Sequence, residues 1–268
     1  METTTHSSTK SRVIISKDFE HLRRRVRSLT GLDLGAYKQQ QMQRRLRSFC
    51  ERNRLENFVA LAKSLEDPEK LEEFKVYVTI NVSEFFRNPQ RFRELQTDVL
   101  PELPSGALKI WSAGCANGAE PYSLAMLMRH ARPGPGHVIL ATDIDAPSLD
   151  RAQKGVYGAS DIKSVPQEIL DKGFAVVGDQ YTVRPTMRRM VTFQRHDLLH
   201  DTYPQGMDVI VCRNVVIYFS DEARNRIFRG FRKALRPGGF LFVGSTETLF
   251  SPERFGFKQY RPFFYRAI

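Results

Sequence analysis

The stretch Leu108-Lys-Ile-Trp-Ser-Ala-Gly-Cys-Ala-Asn-Gly-Ala-Glu-Pro-Tyr-Ser123 joins a short apolar run to a glycine-bearing turn and then to a helix start. Leu108, Ile110 and Trp111 have strand character. Gly114 and Gly118 let the backbone turn sharply and come close to a ligand, and Glu120 and Pro121 suit a first helical turn. A turn of this kind aims unpaired N–H groups at whatever lies beyond the tip of the sheet. Two glycines also serve any tight strand-to-helix turn, so neighbouring residues must separate a ligand site from a packing device.

Asp143 is the first such neighbour. It follows Val138-Ile-Leu-Ala-Thr142, a second apolar run, and lies 29 residues beyond Gly114. An acid at the tip of a second strand can hydrogen-bond both hydroxyls of a ribose. The spacing exceeds the roughly 20 residues of the dinucleotide fingerprint, and Gly-x-x-x-Gly stands in place of Gly-x-Gly-x-x-Gly. Both departures favour an S-adenosylmethionine site over a nicotinamide site.

A chain of 268 residues is long enough for one large domain and a small one. The most apolar run, Val209 to Phe219, is interrupted by Arg213 and Asn214 and is too short to span a bilayer. No charged segment followed by an apolar one opens the sequence, so a soluble, cytoplasmic protein is expected. Cys50, Cys115 and Cys212 are far apart and in no metal spacing, and no metal is expected. A formal charge of +11 calls for an anionic partner: nucleic acid, acidic lipid or an acidic protein surface.

Residues 1–12 read as a disordered tail, rich in Thr, Ser and Lys. Residues 13–80 read as a small helical domain. Phe19, Leu22, Val26 and Leu29 mark a first helix ended by Gly31. Met42, Leu46, Phe49 and Cys50 mark a second, from about Tyr37, and further helices follow on either side of Asp67-Pro68. At ~100° per residue, Arg44, Arg47 and Arg54 share one face of the second helix away from the apolar stripe, a solvated face or a docking surface for an acidic partner.

A linker over 81–95 carries Asn81-Val-Ser-Glu-Phe-Phe-Arg87, and its Phe85 and Phe86 suit either a hinge anchor or a lid over a pocket. Residues 96–268 form the large domain. Within it, about 172–190 read as an insertion containing a hairpin that turns at Gly178-Asp179. Met207-Asp-Val-Ile-Val-Cys-Arg-Asn214 is a buried strand of the parallel kind with polar residues at its carboxyl tip, where ligands of open α/β sheets bind. Asp221 is the expected cap of a helix through Leu235, and Phe257 to Ile268 the expected closing edge strand.

In order and spacing these segments resemble the CheR family of chemoreceptor glutamate methyltransferases. The resemblance rests on Arg-Arg-Leu46-Arg, Asn81-x-Ser83-x-Phe-Phe-Arg87, Glu120-Pro-Tyr-Ser, Ala-Thr-Asp143-Ile-Asp, Cys-Arg-Asn214-Val-x-Ile-Tyr218-Phe and Arg-Pro-Gly-Gly239. It implies a Rossmann-like class I methyltransferase sheet with a helical N-terminal domain and a small β-subdomain. It implies S-adenosylmethionine held by Asn81, Ser83, Arg87, Glu120, Asp143, Asn214 and Val215 with the Gly114 turn, and S-adenosylhomocysteine as product. The family's Asn-Leu appears here as Asp197-Leu198, and an ionised acid cannot donate a hydrogen bond to the adenine. Arg87 and Tyr218 match positions near the reacting methyl. The implied partner is the cytoplasmic helical region of chemoreceptors with its acidic methylation helices, met by a monomer that enters neither nucleic acid nor membrane. Some members hold a peptide tether on the β-subdomain; the short hairpin here favours action without one.

Methylating a carboxylate needs no general base, because the nucleophile is already ionised at neutral pH. Alignment and partial desolvation suffice. An RNA methyltransferase would also suit the charge, but Asn214-Val-Val-Ile-Tyr218 lacks paired prolines and no accessory RNA-binding motif is present. A non-catalytic cofactor-binding adaptor would be marked by loss of Asn81 or Arg87, and both are present.

Overall fold

A computed structural model describes residues 17–79 and 83–268. The expected tail and Asn81 lie outside the described residues. The chain divides at Val78 into two compact units.

The first unit is helical because its apolar residues recur at three-to-four spacing. Helix α1 (Lys17–Thr30) buries Phe19, Leu22 and Val26 and stops at Gly31, whose φ of +80° suits the residue that follows a helix. Asp33 caps a single turn at 34–36, and Tyr37 is extended, so α2 begins at Gln39 and runs to Arg52 rather than starting at Tyr37. Met42, Leu46, Phe49 and Cys50 are its buried stripe. Helix α3 (Phe58–Ser64) is capped by the Asn57 side chain, which accepts from the N–H groups of Val59 and Ala60. Helix α4 (Pro68–Thr79) starts on Pro68, and its Phe74 meets Phe49 edge-on at 5.5 Å.

In the second unit Pro89 opens a helix instead of continuing a linker. Helix α5 (Pro89–Glu94) passes into a widened turn and a short tight one ending at Glu102, burying Phe92, Leu95, Val99 and Leu100. The elements then alternate. Strand β1 (Lys109–Ala113) leads to α6 (Ala119–Ala131), β2 (Val138–Asp143) to α7 (Ala146–Lys154), and β3 (Val156–Gly158) to α8 (Gln167–Gly173). Strands β4 (Phe174–Val177) and β5 (Gln180–Val183) form the hairpin at Gly178, followed by the short α9 (Pro185–Arg188). Strands β6 (Val191–Arg195) and β7 (Met207–Cys212), helix α10 (Asp221–Ala234), and strands β8 (Leu235–Val243), β9 (Phe257–Arg261) and β10 (Phe264–Ala267) complete the chain.

Seven strands make one sheet in the order β6-β2-β1-β7-β8-β10-β9. The β6 to β8 portion is parallel, and β10 runs antiparallel between β8 and β9. The last stretch is therefore a hairpin, turning at Phe263 with φ +71°, and the edge belongs to β9. The strand order reverses between β1 and β7, which opens a crevice at their carboxyl tips. Every residue of β7 is buried, as a central parallel strand requires. The subdomain is a three-stranded sheet, because β3 pairs with β5. The cap of α10 is Ser220, whose hydroxyl accepts from the Ala223 N–H, and Asp221 lies inside the first turn.

Candidate active site

The turn after β1 is built by short-range constraints. Gly114 and Gly118 have φ of +88° and +86°, and a Cβ on Gly114 would stand 2.3 Å from a Val215 methyl. The N–H groups of Gly114 and Cys115 both donate to the Thr142 carbonyl, at 2.8 and 2.9 Å, tying the turn to the end of β2. Ala116, with φ +47°, donates its N–H to one oxygen of Asp143 at 2.8 Å, and Asp145 donates to the other at 3.0 Å. Asp143 is buried, and burial raises its pKa against the pull of these donors. Each oxygen keeps acceptor capacity, so the carboxylate can take two further hydroxyl donors at the crevice.

A buried ionic group lies beside it. Glu120, in the first turn of α6, accepts from the Ser112 hydroxyl at 2.8 Å and faces the Arg213 guanidinium at 3.6 Å. Burial raises the Glu120 pKa and lowers that of Arg213; each counters part of the shift in the other, and the Arg87 charge acts on both. Arg213 donates to the Arg87 carbonyl at 2.7 Å and to the Asn88 side-chain oxygen at 2.8 Å, and its guanidinium lies over Phe242 at 4.8 Å and Phe92 at 5.6 Å. It is the only cation of the quoted motifs that is fully buried, and the sequence reading assigned it no role.

The segment before α5 is fixed to this sheet. Phe86 donates its N–H to the Ser123 hydroxyl at 2.9 Å, and that hydroxyl donates to the Ala119 carbonyl. Phe85 packs edge-on against Tyr157 at 4.7 Å and Phe174 at 5.1 Å. The Asn117 amide reaches the Ser83 carbonyl at 3.5 Å. These contacts put Ser83 and the half-buried Arg87 at the turn after β1. Both phenylalanines are buried inside the second unit, as anchors within it.

Beyond β7, Asn214 has φ +60° and Val215 covers Gly114. A short turn, Val216–Tyr218, carries the half-buried Tyr218. Glu247, after β8, is buried and accepts from the backbone N–H groups of Asn214, Val215, Ile217 and Gly244. Nothing in the local pattern around Glu247 marks it; three of its four partners lie 30 to 33 residues earlier.

At the tip of β6 the Asp197 carboxylate accepts from the Leu199 N–H at 2.7 Å and pairs with His200 at 2.8 Å, while Leu198 is buried. His196 turns away, towards the Thr202 carbonyl and the Trp111 ring. Among the described residues no three His, Cys, Asp or Glu side chains converge as metal ligands. In the first unit, Arg44 and Arg47 are exposed on α2, but Asn53 ends that helix and Arg54 follows it with φ +55°. Arg54 is therefore exposed off the helix, and the three-arginine face of a continuous helix does not form.

The family description "CheR methyltransferase, SAM binding domain" matches residues 81–264, and "CheR methyltransferase, all-alpha domain" matches residues 17–79. The chain belongs to the CheR methyltransferase family. A chemotaxis protein methyltransferase of Listeria monocytogenes is 40% identical over 255 residues, 94% of this chain and 97% of that one. One of Borreliella burgdorferi is 31% identical over 236 residues, 82% and 83% of the two chains. One of Pseudomonas aeruginosa is 33% identical over 267 residues, 93% and 97%.

S-adenosylmethionine is the cofactor of this CheR chain, and the residues fit it. Asp143 offers free acceptor positions at a switch point, suited to a ribose. The Arg87 charge acts on Glu120, so groups of both signs stand at the same crevice. Among the described residues no helix is long and apolar enough to cross a membrane.

Proposed function

We propose that this CheR methyltransferase acts in chemotaxis and esterifies glutamate side chains of chemoreceptors, forming glutamyl methyl esters. The observation that carries this reading is the kind of charge at the crevice. Glu120 and Asp143 are buried acceptors, Glu247 is saturated by four backbone N–H groups, and the charge of the half-buried Arg87 acts on Glu120. Such a site orients an anionic nucleophile and has no need to deprotonate one.

Bound S-adenosylmethionine supplies an electrophilic methyl group. Asp143 holds the ribose, and Glu120 with Ser83 holds the methionyl end. Arg87 turns the incoming carboxylate towards the methyl, and Tyr218 bounds the pocket and limits water. A carboxylate and a sulfonium would lose their opposite charges on transfer of the methyl from sulfur to oxygen, so side chains that exclude water from the crevice would favour the reaction. Asp197 retains acceptor capacity that suits the exocyclic amine of adenine.

The exposed Arg44 and Arg47 on α2 supply a basic face for the acidic methylation helices of a cytoplasmic receptor domain. The test is transfer of labelled methyl to membranes bearing chemoreceptors, with total RNA as a parallel substrate. Label on receptor that base releases as methanol is the expected result; stable label on RNA would overturn the substrate. With Arg44→Glu and Arg47→Glu combined, receptor methylation should fall about tenfold, the effect of losing roughly 1.4 kcal/mol of steering and contact, with S-adenosylhomocysteine affinity unchanged.

A further inference from the structure

Glu247 occupies an unusual position for a carboxylate. It is 4% exposed, and its oxygens divide four backbone donors between them. Oε2 accepts from Asn214 at 2.5 Å and Gly244 at 2.8 Å; Oε1 accepts from Val215 at 2.8 Å and Ile217 at 3.3 Å. A carboxylate has about four lone-pair positions, so none remains to accept a proton or touch the cofactor. What Glu247 does instead is fix a shape. Asn214 is held in the left-handed region, which its own side chain does not require, and the next residues turn so that Val215 closes over Gly114 and Tyr218 follows. Successive N–H groups pointing to one place form an anion-binding concavity, and this chain fills it with its own side chain.

We propose that Glu247 is a positioning residue for methyl transfer, setting the Asn214–Tyr218 turn so that Asn214 and Val215 meet the cofactor and Tyr218 meets the methyl. It rests on the methyltransferase reading above and adds to it a residue that touches neither reactant. Glutamine has the same length and a single acceptor oxygen. Its NH2 group must face two of the four N–H donors, so one half of the turn is released.

The test compares wild type with Glu247→Gln, using Glu253→Gln, an exposed residue of the following segment, as the control. Calorimetric binding of S-adenosylhomocysteine, per site titrated, should weaken at least tenfold in Glu247→Gln. At saturating S-adenosylmethionine, kcat on receptor membranes should fall at least tenfold, while KM for the receptor stays within twofold. The control should match wild type. A residue needed only for folding would lower Tm and leave Kd and kcat per titrated site unchanged. Values within twofold of wild type would therefore overturn the proposal.

If Glu247→Gln does not fold, hydrogen exchange on the wild-type protein decides. The amides of Asn214, Val215, Ile217 and Gly244 should exchange as slowly as those of β7, and loop-like rates would overturn the assignment. A wild type that binds S-adenosylhomocysteine but methylates no receptor would sink the substrate reading, with binding and exchange still reporting on Glu247.

Discussion

Two turns face each other across the switch point, one after β1 and one after β7, and they are held in opposite ways. The first is shaped from within. Gly114 and Gly118 supply two of its three left-handed positions, and the Thr142 carbonyl and Asp143 carboxylate of the neighbouring strand catch its N–H groups, that of the left-handed Ala116 among them. The second has no glycine. Asn214 takes the left-handed conformation, and Glu247, from beyond the next strand, satisfies its N–H groups. One turn combines glycines that permit the shape with an acid on the next strand; the other has no glycine and depends on the Glu247 carboxylate.

Substitutions that exchange these two solutions test the contrast. The largest effect should come from Gly114→Ala. Its Cβ would combine a strained φ with overlap on Val215, and we expect a loss of about 3 kcal/mol in urea unfolding together with undetectable cofactor binding. An intermediate effect is expected from Asp143→Ala. It removes the acceptor for the ribose and for the Ala116 N–H, and should cost about 2 kcal/mol in S-adenosylhomocysteine affinity, roughly thirtyfold in Kd. Equal affinity in the two proteins would show that the first turn works without its acid. The smallest effect on stability should follow Asn214→Gly. Glycine adopts the same φ freely and the Glu247 bonds are to backbone, so unfolding free energy should stay within about 0.5 kcal/mol of wild type. A loss above 2 kcal/mol would mean that the Asn214 side chain, and not Glu247, shapes the second turn.

The same contrast explains what the sequence made legible. Gly114, Glu120 and Asp143 stand in short patterns whose physical meaning is local, and the alternation of apolar runs with helical periods was enough for the parallel sheet. Glu247 and Arg213 act on residues 33 and 125 positions away, so no local pattern announces them. The placement of β10 between β8 and β9 and the pairing of β3 with β5 are likewise choices of partner. Arg54 departs from the expected face for a different reason. The helix does not continue through Asn53, whose N–H closes onto the carbonyls of the last turn and ends α2. The start of α5 at Pro89 is not legible because a proline after a polar connector suits a linker as well as a first helical turn.

Arg213 has one more implication, for exchanging parts between relatives. Its guanidinium, set against the Phe92 and Phe242 rings, grips the connector through the carbonyl of residue 87 and the side-chain oxygen of residue 88. The grip reads no side chain at 87 and asks only for an acceptor at 88. A change of side chain at 87 therefore leaves this grip intact, whereas position 88 must keep a side-chain oxygen and the buried Phe85 and Phe86 must stay apolar.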